Sequence, residues 1–116
     1  MDASHAKRPD MRSFTIALAV VFVGGCFTAL AAERSILQKG KLFSENVLSI
    51  KKGDTLLFVN DDNVAHNVMS TSPGNEFNLG SQPPGVATPV TFNATGEVDV
   101  VCAIHPRMHL TVNVTN

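Results

Sequence analysis

The chain has 116 residues, 44% of them apolar and 16% charged, with a formal charge of −1, which allows one ordinary domain and leaves no room for a second core. From residue 32 onward six Lys and Arg face eight Asp and Glu, so the basic face that nucleic-acid binding requires is absent. With no Trp and no Tyr there is also no aromatic platform on which bases or sugars could stack.

The first segment in chain order is an export signal. Lys7, Arg8 and Arg12 precede the apolar run Phe14 to Val23, and Ala29-Leu30-Ala31 supplies small residues for cleavage after Ala31 or Ala32. Residues 1–31 are therefore expected to form a signal helix that is removed, with Met11 a possible true start. Two other uses of the segment remain open. Ser13 to Ala32 carries no charge and approaches the ~20 residues of an uncleaved membrane anchor. Val23-Gly24-Gly25-Cys26 is a loose lipidation motif. Each reading sends residues 32–116 to the periplasm, either free or tethered to the membrane through this segment alone. Thiols there tend to oxidise and pair, so Cys102, the one cysteine left after cleavage, is an accident, an intermolecular bridge or a ligand.

The exported part is predicted to be a small all-β domain, a sandwich or barrel. Val47 to Ile50 and Thr55 to Val59 alternate with period two around Lys51-Lys52-Gly53-Asp54, which predicts a hairpin. Further strands are expected at Ala65 to Met69, Val86 to Phe92, Glu97 to Ala103 and Leu110 to Val114. The Ser-, Pro-, Gly- and Asn-rich stretch Ser70 to Gly85 is expected to be a surface loop with at most a short edge strand. No run from Glu33 to Asn116 holds a helical apolar period over three turns, which disfavours an α/β enzyme scaffold.

Between the last two strands, Cys102, His105 and Met108 follow one another at i, i+3 and i+6, a compact set of soft donors on one loop. Asp61-Asp62-Asn63-Val64-Ala65-His66 brings a second imidazole to the start of another strand. In a sandwich the two loops can share one end. A thiolate, two imidazoles and a distant thioether suit a trigonal copper site with a weak axial ligand. Zinc could use Cys102, His66 and His105 as well, but the paired close-spaced ligands usual in structural zinc sites are absent.

The string Cys102-Ala103-Ile104-His105-Pro106-Arg107-Met108 resembles the short ligand loop of amicyanin, and Gly53-Asp54 through Phe58-Val59-Asn60 to His66-Asn67-Val68 resembles the approach to the first histidine in the cupredoxins, the type I blue copper proteins. The similarity runs from Val47 to Val114. It implies a small Greek-key β-sandwich and one type I copper per chain. It further implies His66, Cys102 and His105 as equatorial ligands, Met108 as axial ligand, and Asn67 hydrogen-bonded across to the cysteine loop. His109 directly follows Met108, so the string also reads Cys-x-x-His-x-x-x-His, and the axial position stays open between the two.

The function expected on this basis is one-electron transfer between protein redox partners that dock near His105. Pro83, Pro84, Val86 and Pro106 are candidates to line that patch. A periplasmic copper chaperone or storage module would use the same ligands. An enzyme is disfavoured, because all four positions around the metal are taken and no acid–base pair accompanies them. No small-molecule substrate is expected.

Overall fold

The computed structural model describes residues 16–26, 28 and 30–116. Among the described residues nine strands form two sheets: β1 (Glu33–Lys39), β2 (Leu42–Phe43), β3 (Val47–Lys51), β4 (Thr55–Asn60), β5 (His66–Ser70), β6 (Phe77–Gln82), β7 (Ala87–Thr91), β8 (Gly96–Val101) and β9 (His109–Thr115). One sheet has the order β2-β1-β4-β7 and the other β3-β9-β8-β5-β6. Residues 16–26 carry no helix, and the rest of the expected signal helix includes residues 1–15, 27 and 29, which lie outside the described residues. Among the described residues no helix is long and apolar enough to cross a membrane.

Alternation builds the core. In β4, Leu56, Phe58 and Asn60 point inward, and in β8 Val98 and Val100 do so. Leu110, Val112 and Val114 of β9 continue the same inward row. Phe58 lies at the centre, its ring centroid 6.1 Å from Phe43 and 6.3 Å from Phe77, and Phe77 in turn meets Phe92 edge-on at 6.1 Å. A fully buried ring of this kind contributes about 1.5–3 kcal/mol from area alone.

The expected hairpin at Val47 to Val59 is corrected. Both strands and the turn exist, but β3 pairs in parallel with β9 while β4 pairs with β1 and β7, so the turn is a corner between sheets. Asp54 holds that corner. Its carboxylate accepts Lys51 N–H and Ala32 N–H, both at 2.9 Å, and Gly53 N–H reaches the Phe92 carbonyl at 2.8 Å. The loop expected at Ser70 to Gly85 contains the edge strand β6. Strands β1 and β2 are additional: β1 runs parallel to β4 from Glu33↔Thr55 to Gln38↔Asn60.

The strand ends place the candidate donors at one end. β4, β5 and β8 all have His66, Asn60 or Cys102 at their rim there, and β8 and β9 are joined by the Cys102–Met108 loop. At the same end Lys39 to Leu42 turn the chain from β1 into β2, with Gly40 at φ 61° and Lys41 at φ 57°. Two successive positive φ values give the turn whose twist matches a hairpin, and Lys41 adopts one without glycine's freedom.

Candidate metal centre

Folding brings His66, Cys102 and His105 together from two loops. Their donor atoms all lie within 4.8 Å of one another. His66 Nδ1 stands 3.0 Å from His105 Nδ1, and the Cys102 sulfur is 3.8 Å from that same His105 nitrogen. An ion bound at about 2.0–2.1 Å to nitrogen and about 2.3 Å to thiolate can bridge donors up to about 4.1 Å (N···N) or 4.3 Å (N···S) apart. Both separations fall inside those limits, and the third pair, His66 with Cys102, lies within 4.8 Å, so a shift of about half an ångström brings all three donors within reach of one ion of this size. Their mix of thiolate and imidazole suits copper.

Burial grades the site from inside to outside. His66 and Met108 are completely buried, Cys102 is 2% exposed, and His105 is half-buried. The loop closes on itself through Met108 N–H to the His105 carbonyl at 2.9 Å and Cys102 N–H to the Met108 carbonyl at 3.3 Å. Met108 is thus held beneath the loop as part of the core.

Asn67 braces the thiol, as the resemblance implied. Its backbone N–H points at the Cys102 sulfur at 3.3 Å, and its side-chain oxygen accepts Ala103 N–H at 3.3 Å. Its amide nitrogen donates to Asn78 Oδ1 at 2.8 Å and to the Gly80 carbonyl at 2.9 Å, fixing β5 to β6. Behind His66, Asn60 donates to the Val64 and Gln82 carbonyls, and Gln82 donates to the Phe58 carbonyl while accepting from Gln38 at 2.6 Å. Bonded in this way, the buried amides stiffen the floor of the site, although the Gln38 Oε1 is buried without a partner.

One residue beside the donor cluster was not read from the sequence. Asp62 Oδ2 lies 2.9 Å from His66 Nε2 and also accepts Lys41 N–H at 3.0 Å. The Lys41 N–H above all, and the His66 ring next, hold the Asp62 carboxyl down at about 2. The only signal was a carboxylate four residues before a candidate ligand, in a run that reads as an ordinary turn.

His109 goes elsewhere. It begins β9 on the outer face, half-exposed, with Nε2 3.2 Å from Asp99 Oδ1. Beside His105 a groove of about 390 Å³ is lined by Gly40, Lys41, Leu42, Ile104, Pro106 and Arg107. Of the four residues expected to line a patch beside His105, Pro106 lines this groove. Pro83, Pro84 and Val86 are not among the groove's lining residues and form an exposed turn tied to Asn60.

A sequence profile of the copper binding proteins of the plastocyanin/azurin family matches residues 32–115. The methylamine utilization protein MauL of Methylorubrum extorquens is 29% identical over 105 residues, covering 90% of this chain and 92% of that protein. Among solved structures, a purple cupredoxin from Nitrosopumilus maritimus superimposes with a TM-score of 0.62 at 24% identity, over 71% of this chain and 99% of that one. A Cu(I) amicyanin variant gives a TM-score of 0.65 at 22% identity, over 71% and 81% of the two chains. With the matched profile spanning the whole sandwich and the donors gathered at one end of it, the chain belongs to the plastocyanin/azurin family of copper-binding proteins and takes one copper ion.

Proposed function

We propose that this chain is an exported type I copper protein that carries single electrons between protein partners, with His66, Cys102 and His105 as equatorial ligands and Met108 as axial ligand. The observation that carries the reading is the convergence of a thiol and two ring nitrogens within 4.8 Å, with a backbone N–H already aimed at the sulfur. Bound copper supplies the one-electron couple. The protein supplies a site that changes little when the charge changes. Asn67 ties the ligand loop to β5 and β6, and the Asn60, Gln82 and Gln38 amides hold the floor.

Met108 suits the axial role because it is wholly buried under the loop, whereas His109 is engaged by Asp99 on the outer face. The N–H donated to the Cys102 sulfur spreads thiolate charge and tunes the potential. His105 is the ligand that reaches the surface, so the electron enters and leaves by its outer edge. The docking surface is the groove beside it, whose exposed Leu42 and Ile104 offer apolar contact. Export through residues 1–31 to the periplasm is supported by the start of β1 at Glu33, just past the small residues suited to cleavage.

Purified chain loaded with Cu(II) should show an intense visible thiolate-to-copper band and the narrow copper hyperfine splitting of a type I centre in electron paramagnetic resonance. It should keep its copper through repeated oxidation and reduction. Release of copper to an acceptor protein on reduction would favour the chaperone role, and failure to take up one equivalent would end the copper reading.

A further inference from the structure

Asp62 sits where a copper ligand meets the surface turn. Its Oδ2 lies 2.9 Å from His66 Nε2 and accepts the Lys41 N–H at 3.0 Å, while its Oδ1 accepts Asn63 N–H at 3.1 Å and its own N–H binds Asn60 Oδ1 at 3.0 Å. The carboxylate is therefore fixed by partners on three segments. His66 has no exposed surface, so water cannot replace this contact. A carboxylate only accepts, which makes His66 Nε2 the donor, and in the neutral ring this leaves the Nδ1 lone pair facing His105 and Cys102.

We propose that Asp62 is the positioning residue of the metal centre: it locks His66 in the Nε2–H tautomer with Nδ1 presented to the ion, and its charge favours the oxidised form. The second half rests on the copper reading above; the first does not. The ligand's outer nitrogen fixes which inner nitrogen can coordinate, and such outer partners commonly change metal affinity 10–100-fold when removed. The Lys41 contact adds a constraint from the surface. Lys41 holds a positive φ in the β1–β2 turn, and its N–H meets the same oxygen as His66, so the turn that walls the docking groove also fixes the orientation of the carboxylate.

Histidine nitrogen chemical shifts of the metal-free full chain and the reduction potential of the copper-loaded chain test the two halves separately. At neutral pH, His66 is expected as the Nε2–H tautomer, with the Nδ1–H form rising at least tenfold in Asp62→Ala. Asp62→Asn keeps an acceptor oxygen and its volume, so the tautomer and the visible band should persist. Its lost charge should favour Cu(I) over Cu(II) about tenfold, raising the potential by about 59 mV. Asp62→Glu should restore most of the wild-type potential. A His66 protonated at Nδ1 in the wild type overturns the positioning role. An unchanged potential in Asp62→Asn overturns the electrostatic role. A merely structural Asp62 would alter thermal stability and leave tautomer and potential alone. Wild-type chain that binds no copper would sink the electron-carrier reading, yet the metal-free measurement would still decide the tautomer.

Discussion

The two ends of the sandwich are closed by different chemistry. At the end away from the donors, backbone and short side chains do the work: Lys52 N–H to the Thr115 carbonyl at 2.7 Å, Gly53 to Phe92 at 2.8 Å, Thr55 to Thr91 through their hydroxyls at 2.8 Å, and the Asp54 carboxylate over the corner. At the other end, buried amides, imidazoles and a carboxylate bond to one another across several strands. The first end can be closed by almost any sequence with the right turn. The second needs particular side chains, because a buried polar group left without its partner costs about 1–3 kcal/mol. A rigid polar frame is what a redox site requires, and the apolar core behind it absorbs the cost of building one.

Substitutions should separate the two ends. The largest effect is expected from Cys102→Ser, which should abolish the visible band outright and lower copper affinity by at least 100-fold, in copper titration, while the metal-free fold persists. Phe92→Ala, at the far end of the core, should cost about 3–5 kcal/mol in urea unfolding and leave the band where it is. A displaced band would mean that the ends are not independent. Next, Met108→Gln should move the reduction potential by more than about 59 mV, a tenfold change in the ratio of Cu(I) to Cu(II) affinities. His109→Ala should move it by much less, and its exposed pair with Asp99 should cost under about 1 kcal/mol. The reverse pattern would make His109 the axial ligand.

The candidate donors could be picked out because the chain writes three of them within seven residues, Cys102 to Met108, and the fourth at the start of a strand, and the structure gathers His66, Cys102 and His105. The pairing of strands was less legible. β3 and β4 look like a hairpin locally, and only the partners β9, β1 and β7, distant in sequence, pull them into different sheets. β1 was hidden because just Ile36 and the polar Gln38 among its seven residues face the core. The buried Gln38 finds its hydrogen-bond partner in Gln82, 44 residues away. β6 was obscured by the exposed Asn78 and Gly80, which alternate with its half-buried Phe77 and Leu79. Asp62 gave no signal of its own, since its role exists only once Lys41 and His66 have been brought to it.

The smallest expected effect concerns the far end and pH. Lys51 N–H first, and Ala32 N–H next, hold the Asp54 carboxyl below its ordinary value of 3.8. A carboxyl whose folded value is depressed stabilises the fold fully above the unfolded value and loses that contribution as pH falls through the folded one. The melting-temperature gap between metal-free wild type and Asp54→Asn should therefore be widest near neutral pH and narrow below about pH 4. A gap that stayed constant in acid would show that charge plays no part at this corner.

X-ray absorption at the copper edge of the loaded chain tests the central claim most directly. Two nitrogen scatterers on the order of 2.0 Å and one sulfur on the order of 2.3 Å from a single copper are expected. A shell of nitrogen and oxygen with no sulfur would contradict the account, because Cys102 would then lie outside the site on which every step of it depends.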